Sequence, residues 1–143
     1  DQSTYKQSIW TRTYMAFNGL LNSIQPEVIY LQAMHDKEGN SLQGKSSYVI
    51  QGHSPKCRYW SIAIYNENQM INPINESIKN NFNTDMDQNG NYKIFLSDSS
   101  RDTNHINHQG NDFTVIMRIY GPDSSYYTDP QSIPVAIIRR QGN

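Results

Sequence analysis

The stretch YWSIAIYNENQMINP, Tyr59 to Pro73, decides how this chain is read. Trp60, Ile62 and Ile64 alternate with Tyr59, Ser61 and Tyr65, the period of two that marks a strand with one buried face. The strand then breaks into an Asn-rich loop. The loop ends at Asn72-Pro73, where proline cannot donate to a sheet ladder. An alternating strand punctuated by a long polar loop points to a β-rich fold.

Working outward, the same period recurs. Ile29, Leu31 and Ala33 alternate with Val28, Tyr30 and Gln32. Further strands are expected around Ser47 to Gln51, Tyr92 to Ser97, Phe113 to Tyr120 and Pro134 to Arg139. In the third of these Phe113, Val115, Met117 and Ile119 share a face. The turns Asp36 to Asn40 and Asp87 to Asn91 carry Gly before Asn, and Asn-Gly in the second is a strong hairpin signal because both residues tolerate positive φ. Only residues 4–24 read as a helix: Tyr5, Ile9, Phe17, Leu20, Leu21 and Ile24 fall on one stripe, Ser3 or Thr4 caps it, and Pro26 stops it. Trp10 sits off that stripe, placed to cover a sheet edge or face a partner. One N-terminal helix followed by six or so short strands over 27–140 predicts a single, mostly β domain, an antiparallel β-sandwich or jelly roll.

At 143 residues the chain is long enough to bury a core without staples. A net charge of −1 with 17% charged residues offers no field to recruit nucleic acid or an anionic membrane. The single cysteine, Cys57, excludes an internal disulfide framework. Lys56 and Arg58 would favour its thiolate if it were exposed, whereas a half-buried structural cysteine would be inert. No run approaches the ~18 apolar residues of a membrane span. The chain opens at Asp1 without Met, and the expectation is a signal peptide or membrane anchor removed upstream.

The ordered set of motifs resembles a family. Trp60-Ser61 to Tyr65, Asn72-Pro73, Asp87 to Gly90, Arg118-Ile119-Tyr120-Gly121-Pro122 and Ile133-Pro134 follow the order found in the domain-of-unknown-function family 1214. The upstream Gly19-Leu20-Leu21, Glu27 to Tyr30 and Asp36 to Leu42 resemble its short stand-alone members and the C-terminal module of its larger two-domain proteins. The resemblance implies a jelly-roll-like sandwich with no established general activity, placed outside the cytoplasm behind an anchor or signal. One departure stands out: Asn104-His105-Ile106-Asn107-His108 replaces the Asn-Trp-Leu-Pro-like element such proteins usually carry.

Several residues carry possible chemistry. Asp85, Asp87 and Asn89 match the first half of a calcium loop, but the twelfth position is Leu96 and the same residues make a good turn. His105 and His108, spaced i, i+3, could share zinc or copper, with a third ligand from His53 or His35; solvated loop histidines are the plainer reading. Ser61 lacks a nucleophile elbow, and Cys57 with His53 lacks a readable oxyanion hole. Asn75-Glu76-Ser77 is a glycosylation sequon only in a eukaryotic secretory setting. Arg118 faces away from the core stripe, either paired with a carboxylate across the sheet or forming an anion site. Ten tyrosines and many amides would suit a sugar-binding surface.

The sequence favours a non-enzymatic extracytoplasmic module that works by binding or self-assembly, as a homo-oligomer or a subunit of a surface filament, with no cofactor and no nucleic acid. The alternative is a carbohydrate or small-molecule binding or processing enzyme. Its pocket would lie between segments 66–84 and 97–111, near Tyr65, Asn72, His105, His108 and Arg118. A virion structural protein is a further alternative, since jelly rolls are common in capsids.

Overall fold

A computed structural model describes residues 2–4, 10–14, 28–66, 69–70, 78–99 and 103–142. The described chain is mostly β. Its strands are β1 (Gln2–Thr4), β2 (Trp10–Tyr14), β3 (Val28–Ala33), β4 (Tyr48–His53), β5 (Tyr59–Asn66), β6 (Gln69–Met70), β7 (Ile78–Asn80), β8 (Asn91–Ser97), β9 (His105–Asn107), β10 (Thr114–Tyr120) and β11 (Ile137–Arg140). A one-turn helix, α1 (Ser125–Thr128), and a 3-10 turn at Pro130–Ser132 precede the last strand. No described helix is long and apolar enough to cross a membrane.

Two sheets form. The larger runs β1-β2-β3-β10-β5-β6, with β7 also on β5, and the smaller runs β11-β4-β8-β9. Among the described strands every pairing is antiparallel except β8 with β9, which is parallel. The core faces expected from sequence are buried: Ile29, Leu31 and Ala33, then Trp60, Ile62 and Ile64, then Val115, Met117 and Ile119, with β5 also burying Ser61 and Ala63 on its other face. Facing them, Tyr48, Ile50, Tyr92, Ile94, Leu96 and Ile138 complete one core. Contacts cross between the sheets. Trp60 stacks on Tyr92 at 4.9 Å between ring centres, and Tyr48 meets Phe113 edge-on at 5.6 Å. Stacks of this kind add about 0.5–1.5 kcal/mol each beyond the area they bury.

The helix expected over 4–24 is not what the described part of that segment forms. Residues 2–4 and 10–14 are strands, and β2 pairs with β3 from Trp10↔Ala33 to Tyr14↔Ile29. Residues 5–9 and 15–24 lie outside the described residues. The reason is visible at Trp10, which sat off the helical stripe. Its ring is 1% exposed inside the core, and its indole N–H donates to the Ala136 carbonyl at 2.7 Å. A sheet edge and a buried anchor outweigh the local helical pattern, because tertiary packing overrides propensity.

Two turns repeat one design. In Asp36–Asn40 and in Asp87–Asn91, Asp Oδ1 accepts the N–H groups two and four residues on, and the Gly N–H donates to the Asp carbonyl. Each needs its glycine, since Gly39 and Gly90 have φ of +89° and +82°. The first turn also closes a sheet edge. Lys37 N–H donates to the Ile138 carbonyl at 2.7 Å, capping β11 on the side away from β4.

Candidate functional site

Arg118 lies on the central strand of the larger sheet. Because Val115, Met117 and Ile119 point into the core, Arg118 and Tyr120 project from the outer face. The register sets Arg118 beside Tyr30 on β3 and Ser61 on β5. Its guanidinium carbon lies 5.1 Å from the centre of the Tyr30 ring and 5.3 Å from that of Tyr65. Its Nη2 donates to the Tyr65 hydroxyl at 2.6 Å. Partial burial works against the charge, but the neighbouring Tyr30 and Tyr65 hydroxyls outweigh it and raise the arginine above its ordinary pKa. Among the described residues the groups acting on it are tyrosines and none is a carboxylate. The cross-sheet ion pair that sequence offered as the plain reading is absent from this set. A guanidinium has five N–H donors, so the two phenols leave donors over.

An aromatic row runs on from Arg118. Tyr120 packs on Tyr59 at 5.4 Å, and Tyr59 on Phe82 at 6.0 Å. Burial raises the Tyr120 phenol, with the neighbouring Tyr30 adding to it and Arg118 opposing. Phe82 is 80% exposed. The small residues of β5 on this face, Ser61 and Ala63, are buried.

The remaining candidates are dispersed. Tyr65 joins Arg118, whereas Asn72 lies outside the described residues. His105 begins β9 and its Nε2 bonds the Ser97 hydroxyl at 2.9 Å. His108 is 1% exposed and stacks on Phe113. The Gly110 N–H donates to its Nδ1 at 3.0 Å, so Nε2 carries the hydrogen and donates to the Ser46 carbonyl at 2.8 Å. Both nitrogens of His108 are committed, which leaves it no free nitrogen for a metal shared with His105, and its burial corrects the plainer reading of a solvated loop histidine. This histidine ties the 43–47 loop to the turn after β9 instead. Asp87 is likewise spent: Oδ1 takes two backbone N–H groups and Oδ2 takes the Asn91 amide at 3.1 Å. Those bonds, from the Asn91 backbone first, hold its carboxyl below the usual range. Asp87 and Asn89 thus belong to a hairpin turn, and Asp85 precedes it with its backbone bonded to Asn104. Among the described residues no three His, Cys, Asp or Glu gather as a metal site. Cys57 is half-buried, and burial pushes its thiol up to about 11, against the thiolate that its cationic neighbours suggested.

The 97–111 connection is clasped to residues just beyond 66–84. Asn104, with φ +46°, accepts the Asp85 N–H at 2.8 Å and donates to the Asp85 and Lys93 carbonyls at 2.8 and 3.0 Å. Beside it a groove of about 640 Å³ crosses the outer face of the smaller sheet, over Gln51, Lys93 and Phe95. A second, about 590 Å³, adjoins Tyr65 and is walled by Met34, Leu42, Asp112 and Phe113. Neither contains His105, His108 or Arg118.

Sequence reasoning missed Tyr30, Tyr120 and Phe82. Alternation alone puts Tyr30 and Tyr120 on outer faces. What it lacked was the insertion of β10 between β3 and β5, which brings the two tyrosines to one side of one sheet.

Comparison with known proteins adds a family and a fold. The family model described as "Protein of unknown function (DUF1214)" matches residues 27–124. A crystal structure of a Vibrio parahaemolyticus protein is similar at 26% identity and a TM-score of 0.71, over 86% of this chain and 33% of the other. An uncharacterized protein from Burkholderia cenocepacia, at 16% identity, shares the fold alone, with a TM-score of 0.59 over 82% of this chain and 30% of its own. The chain therefore spans about a third of the length of these relatives. No curated protein matches it. With the fold in common and the family match running through β3, β5, β8 and β10, the chain belongs to the DUF1214 family of proteins of unknown function.

Proposed function

We propose that this chain is a non-enzymatic binding module, a jelly-roll-like sandwich working outside the cytoplasm, that holds an anionic group at Arg118. One observation carries the reading: an arginine on an outer sheet face, flanked by two tyrosine rings, whose described neighbours include no carboxylate. The rings and the Tyr65 hydroxyl fix the plane of the guanidinium, so its ordering cost is met before a ligand arrives. Its remaining N–H groups then offer a fork that a carboxylate or sulfate accepts with two oxygens. Phenols and a permanent cation together offer an anion both charge and hydrogen-bond donors. Assembly by edge pairing is the weaker expectation, because Lys37 caps part of β11.

The test is an NMR titration with sodium galacturonate and sodium sulfate. Both should shift the Arg118 Nε–H and the Tyr30 and Tyr65 ring signals; Arg118→Met should abolish the response and Arg118→Lys should weaken it. An identical response in the Arg118→Met protein would overturn the proposal, as would no response to either anion in the unmodified chain.

A further inference from the structure

The rest of the same face points to what carries that anion. We infer that Arg118, Tyr120, Tyr59 and Phe82 form a track for an acidic oligosaccharide, its sugar rings lying on the aromatic row and one carboxylate on Arg118. The inference rests on the reading of Arg118 above and adds the ligand class.

Phe82 is the observation that extends it. A lone exposed phenylalanine is ordinary, but this one is held in place. Asn80 Oδ1 accepts the N–H groups of Phe82 and Asn83 at 2.8 and 3.0 Å, and the Asn80 N–H donates to Asn83 Oδ1 at 2.8 Å. Asn81 locks the same turn to the sheet, donating its N–H to the Trp60 carbonyl and accepting the Trp60 N–H on Oδ1, both at 3.2 Å. Three asparagines therefore build a rigid turn whose apolar member is the most exposed large hydrophobic side chain described. It continues the Tyr59–Tyr120 row away from Arg118, and ring-to-ring spacings of 6.0 and 5.4 Å suit successive rings of a ligand.

Sugar chemistry fits both ends. The C–H faces of pyranoses lie on aromatic rings, phenol hydroxyls serve as donor and acceptor for sugar hydroxyls, and a uronic carboxylate matches a guanidinium fork. Single-stranded nucleic acid also stacks on aromatic rows, but it needs several cations along its phosphates. Here, among the described residues, Arg118 stands on the row and Lys79 at its Phe82 end is tied to the Asn83 carbonyl at 3.4 Å, in a chain of net charge −1 that offers no run of cations for successive phosphates.

Calorimetric titration of the full chain with trigalacturonate, galacturonate and maltotriose tests this. Trigalacturonate should bind more tightly than galacturonate, and maltotriose more weakly than trigalacturonate. Phe82→Ser, at an exposed position, should weaken trigalacturonate about 3- to 10-fold, as loss of an aromatic contact predicts, and leave galacturonate unchanged. Arg118→Met should weaken both acids. If Phe82→Ser leaves trigalacturonate unaffected, or if maltotriose or a thymidine oligonucleotide binds as well as trigalacturonate, the track is refuted while the anion site stands. If Arg118→Met leaves galacturonate unaffected, the anion site itself falls.

Discussion

Asn104 is the residue whose loss should be most revealing for the fold. Its side chain is 9% exposed and makes three hydrogen bonds, two to Asp85 and one to Lys93. A buried bond of this kind contributes about 1 kcal/mol net. Asp85 is exposed, so water replaces part of its two bonds, and these count at about half value. The side chain then contributes about 2 kcal/mol. Alanine at φ +46° adds about 1 kcal/mol of left-handed strain that asparagine tolerates better and glycine avoids. Asn104→Ala should therefore cost about 3 kcal/mol and Asn104→Gly about 2. Glycine's greater freedom in the unfolded chain narrows that gap. Urea unfolding measures both, and the midpoint should fall without a change in slope. An Asn104→Ala protein within about 0.5 kcal/mol of the parent, the range of ordinary surface changes, would refute the clamp.

Two predictions concern titration. The Asp87 carboxyl is held low by its turn, chiefly by the Asn91 backbone N–H, so its stabilisation is present above the ordinary carboxylate pKa and lost as pH falls through the lower folded value. The difference in melting temperature between the parent and Asp87→Asn should thus shrink toward zero below about pH 3.8, and a constant difference down to strongly acid pH would contradict this. Cys57, raised to about 11 by burial, should present about one thiolate in a thousand at pH 8. Iodoacetamide should label it slowly in the folded chain and rapidly in urea; equal rates would show the thiol to be open.

Much of the fold was legible because alternation is a local signal. Trp60, Ile62 and Ile64, or Phe113 to Ile119, announce a buried face without reference to any other strand. The N-terminal segment misled for the complementary reason. Its apolar residues fit a helical stripe, and only a partner strand far along the chain makes β2 the better solution. The candidate site was half visible. Arg118 and Tyr65 were singled out from alternation, but Tyr30 and Tyr120 join them through strand order, which no local pattern encodes. His108 misled because the ring nitrogens of a metal ligand and of a structural tie look alike in sequence. What separates them is the pair of backbone partners, Gly110 and Ser46.

The placement of β10 has a consequence for biogenesis. The central strand of the larger sheet is the tenth of the eleven described strands to be synthesised, and it fills the gap between β3 and β5. Until it arrives, those two strands present unpaired edges with apolar faces, the surfaces on which nascent chains aggregate. That exposure lasts from the synthesis of β5 until the residues of β10 emerge and pair with both edges. A chaperone or export factor that engages the emerging β3 and β5 would have to release them when the residues from Thr114 to Tyr120 appear.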